Sequence, residues 1–107
     1  MARQETGRFS GALFLVLSSL AGGPKHGYAM IEDIRAFSGT ELEPGTLYGA
    51  IARLEQRGLI EPLPMEERRR PYRITPSGVE ALRAQVATMA QVVEAGQGRL
   101  RLLGGPR

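Results

Sequence analysis

Glycine and proline cut most of this chain into short elements, and that punctuation limits the fold more than any other feature. The 107 residues include 14 glycines and 7 prolines. Gly22, Gly23 and Pro24 stop a first helix that starts at Ser10, a residue suited to the N-cap. Leu13, Leu17 and Leu20 fall on one of its faces, with Val16 beside them. A second helix is expected over residues 28–37, with Met30, Ile31, Ile34 and Phe37 as its apolar stripe and Gly39 as its end. Pro44 then opens a third helix, because proline has no penalty in a first turn. It runs to about residue 57, and Gly58 is a natural residue to follow it. Leu47, Ile51 and Leu54 form its buried stripe. Two short strands, residues 59–63 and 72–74, flank a charged loop and read as a β-hairpin with a long tip. Thr75 caps a fourth helix, and Pro76 takes its first position.

That fourth helix carries Val79, Leu82, Val86, Met89 and Val93 at alternating spacings of three and four. This is a heptad-like seam, longer than a small domain needs to cover itself. Three helices, a hairpin and a final long helix give a mainly α fold with a small β-hairpin (α+β): a winged helix-turn-helix plus a C-terminal dimerisation helix. The expected organisation is an arm over residues 1–9, the winged domain over 10–75, the dimerisation helix over 76–103 and a tail over 104–107.

Composition removes several function classes. With no cysteine, disulfides, thiolate metal sites and cysteine nucleophiles are excluded. His26 is the single histidine, so neither a metal site nor a cofactor is expected, and no catalytic residue stands out. It reads as a structural residue near the start of the second helix. No stretch approaches the ~20 apolar residues of a membrane span. The apolar run over residues 12–21 belongs to the core of a small domain rather than to a leader, and the expected location is cytoplasmic.

The charge is uneven. Residues 44–73 hold six basic and four acidic side chains, whereas residues 24–43 hold two basic and four acidic. The basic side is the third helix and the hairpin tip, as a reader of double-stranded DNA requires. In a winged helix-turn-helix the third helix enters the major groove. Opposite its buried stripe lie Thr46, Gly49, Arg53 and Gln56. Arginine suits guanine edges, glutamine suits adenine edges, and glycine keeps the face slim. Tyr48 lies on the flank, within reach of a phosphate. Arg68, Arg69 and Arg70 at the wing tip suit the flanking backbone. The competing reading is a winged helix used for protein–protein contact without DNA binding, which Glu66 and Glu67 at the wing would fit.

Several collinear segments also carry a resemblance: His26-Gly27-Tyr28, Pro44-Gly45-Thr46-Leu47-Tyr48, Arg53-Leu54-Glu55, Gly58-Leu59-Ile60 and the run from Tyr72 to Gly78. They resemble the PadR family of bacterial transcriptional regulators, in its short form with one C-terminal helix. The resemblance implies repression of a nearby promoter by a homodimer built through the last and first helices, which adds Leu13 and Leu17 to the dimer seam. It also implies a small-molecule effector in some members. The place for one here is a cleft between the first and last helices of the dimer, lined by Phe9, Phe14 and Met89. Two departures stand out: Pro71 directly precedes Tyr72, and the last helix has no aromatic residue.

Overall fold

The computed structural model describes residues 11–104. The expected arm, the Ser10 cap, Phe9 and the last three residues of the tail lie outside the described residues. The elements run α1 (Gly11–Ala21), α2 (Gly27–Ser38), α3 (Pro44–Gln56), β1 (Ile60–Pro62), β2 (Tyr72–Ile74) and α4 (Pro76–Leu102).

Helix α1 is apolar on nearly every side because it is surrounded: α2, α3, α4 and β2 all pack against it. Leu13, Val16, Leu17 and Leu20 of α1 form the core with Met30 and Ile34 of α2, Leu47, Ala50, Ile51 and Leu54 of α3, and Ile60 of β1. Buried Ser19 satisfies its hydroxyl by donating to Asp33 at 2.7 Å. Lys25 donates to the Ser19 carbonyl at 2.5 Å and pairs with Asp33 at 3.7 Å, which ties the end of α1 to α2.

The helix ends obey local chemistry. His26 caps α2 with its ring Nδ1, which accepts from the Ala29 N–H at 3.4 Å. The α2 stripe is narrower than expected: Met30 and Ile34 are buried, but Phe37 is half exposed at the helix end. Helix α3 begins with Pro44 and closes with a Schellman pair, Gly58 N–H to Glu55 O and Leu59 N–H to Leu54 O. Gly58 makes that closure at φ 75°.

The strands pair antiparallel, with Ile60 opposite Ile74 and Pro62 opposite Tyr72. On its other edge Tyr72 exchanges backbone hydrogen bonds with Lys25, so the α1–α2 connection adds a single-residue third strand. Pro71 is buried just before β2, where it needs no ladder donor; its carbonyl accepts from Leu63 at 2.9 Å. The long tip expected from the sequence is instead a tight turn. Glu66 and Arg69 exchange backbone hydrogen bonds at 2.8 Å around Glu67 and Arg68, which both adopt positive φ, 47° and 70°. Two positive φ values match the twist of a two-residue hairpin, although neither residue is a glycine or asparagine.

Helix α4 starts with Thr75, whose Oγ1 accepts from Gly78 N–H at 3.0 Å and donates to Gly58 O at 2.7 Å. Leu82 packs on the core, and Val79 is half-buried. Past that point the helix leaves the domain. It continues through Gly96 and Gly98, and the molecule reaches 54 Å in its longest dimension.

Leu13 and Leu17 require correction as dimer residues. They are 2% and 0% exposed within a single chain, because α1 is the centre of the core rather than one of its outer layers. Val86, Met89 and Val93 stand exposed on α4, joined by Val92.

Candidate nucleic-acid interface

Helix α3 presents its whole outer face to solvent. Thr46, Tyr48, Gly49, Arg53 and Gln56 are all exposed, while Leu47, Ala50, Ile51 and Leu54 hold the helix down. Thr46, Gly49 and Arg53 border one shallow cleft of about 260 Å³, floored by Ala12 and Leu13 of α1. Gln56 lies on the same face, farther along the helix. Among the described residues the Arg53 guanidinium has no ion-pair or hydrogen-bond partner, so it is not committed to Glu55 or Gln56.

Tyr48 belongs to a second cleft, of about 370 Å³, between the start of α2 and the wing. Its ring lies over Gly27, where a Cβ would collide with the phenol. The ring therefore packs on α2 and still leaves half of the residue exposed. Arg68, Arg69 and Arg70 of the wing line the same cleft, together with His26, Tyr28 and Tyr72. The three arginines differ. Arg70 donates to the Leu63 carbonyl at 2.8 Å and braces the wing. Arg69 Nη1 lies 3.1 Å from His26 Nε2. Arg68, at the apex of the turn, has no partner among the described residues.

Two tyrosines, Tyr28 and Tyr72, are biased toward the neutral phenol. The hydrogen-bonded Glu32 carboxylate pushes the Tyr28 hydroxyl above its usual value. Burial, and then the charge of Glu55, raise Tyr72. Wing residue Arg73 is paired across the hairpin with Glu61 at 2.6 Å.

Thr46, Gly49 and Arg53, which the helical period puts on one face, border the same cleft. Sequence reasoning did not place His26 or Tyr28 beside the wing arginines. The sole signal for that junction was the triplet of residues 26–28, and contact across 43 positions has no local signature. Phe14 is half-buried on α1 and Met89 exposed on α4; neither borders the two clefts described above.

The pattern that defines the transcriptional regulator PadR-like family matches residues 16–84, from the middle of α1 to the first turns of α4. The chain belongs to the PadR-like family of transcriptional regulators. That family is one of regulators, not of enzymes. An uncharacterized 37.1 kDa protein in transposon TN4556 of Streptomyces fradiae is 47% identical over 85 residues, covering 79% of this chain and 25% of that protein. This PadR-like chain thus spans about a quarter of that relative's length. A transcriptional regulator from Clostridium thermocellum of known structure is 31% identical with a TM-score of 0.73, over 81% of this chain and 87% of that one. A PadR family transcriptional regulator from Eggerthella lenta is 36% identical with a TM-score of 0.64, over 82% and 79%. Among the described residues no helix is long and apolar enough to cross a membrane, and no cluster of metal-ligating side chains occurs.

Proposed function

We propose that this PadR-like chain is a sequence-specific DNA-binding repressor that works as a homodimer. In this reading α3 enters the major groove, where Thr46, Gly49, Arg53 and Gln56 meet base edges. Tyr48 and the Arg68–Arg70 wing hold the flanking phosphates. The observation that carries it is the outer face of α3, exposed from Thr46 to Gln56 with the Arg53 guanidinium unpaired among the described residues, and three wing arginines on the cleft that Tyr48 borders. Val86, Met89 and Val93 supply the dimer seam, since apolar residues exposed along one helix favour a partner. Two copies set half-sites roughly one helical turn, ~34 Å, apart. The repressor is placed in the cytoplasm, and a small-molecule effector is placed between α1 and α4 of the dimer, near Phe14 and Met89.

The test is fluorescence anisotropy on the duplex upstream of the chain's own gene against a scrambled duplex, at two salt concentrations. Tighter binding to the native sequence that survives the higher salt is expected. No binding to either duplex at low salt would favour a winged helix used for protein contact.

A further inference from the structure

The His26 ring and the Arg69 guanidinium meet in the lining of the Tyr48 cleft, with Nη1 3.1 Å from Nε2. The His26 ring caps α2 by accepting from Ala29 through Nδ1. A neutral imidazole has one acceptor nitrogen, so in the capping tautomer Nε2 carries the proton. Arg69 Nη1, 3.1 Å from that Nε2, is also a donor and is never an acceptor. The alternative tautomer lets Nε2 accept from Arg69 but removes the cap. The imidazolium form satisfies neither contact. In every protonation state of the free chain one of these two contacts is not made within the protein, and that nitrogen is left to solvent.

We propose that His26 and Arg69 are a phosphate clamp, and that the acceptor they share is an oxygen of the DNA backbone. The inference rests on the DNA-binding reading and adds His26 to the interface. A phosphate oxygen bridging His26 Nε2–H and Arg69 Nη1–H satisfies both donors and leaves the α2 cap intact. Arg68 and Tyr48 line the same cleft; Arg70 beside them is braced on the Leu63 carbonyl, and the Tyr28 hydroxyl is held by Glu32. Glu66 and Glu67 border the His26–Arg69 edge from the other side. Their charge opposes a free anion, so the clamp closes on a phosphate that the rest of the interface delivers.

The test uses the full chain and a mixed-sequence duplex at low salt, because a phosphate contact does not depend on sequence. His26→Ser keeps a capping oxygen at the α2 start but cannot reach Arg69. His26→Asp also caps, and presents a carboxylate to the phosphate. Serine is expected to weaken the duplex about tenfold, as for one hydrogen bond to a charged group, and aspartate to weaken it further. Arg69→Ala is expected to cost less in the serine background than in the parent, because both residues hold one oxygen. Nitrogen-15 NMR of the single histidine provides a second readout. The Nε2–H signal is expected to shift and exchange more slowly on adding duplex, and to move little with inorganic phosphate.

Parent-like duplex affinity in both folded variants, with an unmoved histidine signal, would overturn the clamp and leave the DNA-binding reading standing. A shift with inorganic phosphate but not with duplex would also overturn it, as a free-anion site. No binding of any duplex by the parent would overturn both.

Discussion

At the residue scale, this chain separates groups that hold the fold from groups free to meet a ligand. Gly78 is of the first kind. A Cβ there would strike the Leu59 carbonyl and come within 2.7 Å of Ile74 Cγ1. Gly78→Ala is therefore expected to destabilise the domain by about 1–3 kcal/mol, seen as a lower thermal midpoint. Arg53 is of the second kind. Arg53→Ala is expected to leave that midpoint unchanged and to cost about 1–3 kcal/mol on the specific duplex, relaxing one base position. If operator affinity were unchanged, the α3 face would be misassigned. Tyr72 reports on protonation. Burial raises its pKa from the ordinary 10.0, so the folded state favours the neutral phenol. The stability this confers is complete below pH 10 and is lost as pH rises through the folded value. Thermal melts above pH 10 should therefore show a falling midpoint, and Tyr72→Phe should remove part of the fall.

At the element scale, the wing carries strain at its tip. Glu67 and Arg68 both hold positive φ, a region that glycine occupies freely and that costs other residues on the order of 1 kcal/mol or more. Arg68→Gly is expected to raise the thermal midpoint slightly. The same change is expected to weaken all duplexes alike and to flatten the salt dependence by about one phosphate contact. Stability and binding moving in opposite directions would mark Arg68 as a residue kept for contact. A fall in both would mean that its aliphatic stem braces the turn. Helix α3 shows the converse, with no strain. Pro44 at its start and the Schellman closure at Gly58 fix its length, and four buried side chains fix its rotation.

At the scale of the whole molecule, α4 is too long for one domain. Its first turns pack on α1 and β2, and the remainder projects Val86, Met89, Val92 and Val93 into solvent. Val86→Glu with Met89→Glu is expected to halve the mass seen by light scattering while leaving the winged domain's circular dichroism and melting cooperative. Because each monomer then brings only one modestly basic surface, duplex affinity should fall steeply. A doubly substituted chain that remained dimeric would place the seam elsewhere. Leu13 and Leu17 would be no candidates for it, since substituting them would unfold the core instead.

Much of this protein was written locally. Helix boundaries followed from Pro44, Gly39, Gly58 and Pro76, whose backbone preferences act without help from distant residues. The exposed α3 face followed from the 3.6-residue period of Leu47, Ile51 and Leu54. Three things required the tertiary structure. Leu13 and Leu17 have the same apolar chemistry as Val86 and Met89, and only packing decides which pair is spent inside the chain. The tight turn at Glu67 and Arg68 is imposed by the hairpin twist against the residues' own preference. The pairing of His26 with Arg69 joins groups far apart in the chain, brought together because Lys25 and Tyr72 exchange backbone hydrogen bonds. Periodicity and capping act over a few residues, so a sequence shows them directly. Burial and long-range contact depend on where every other element has already gone.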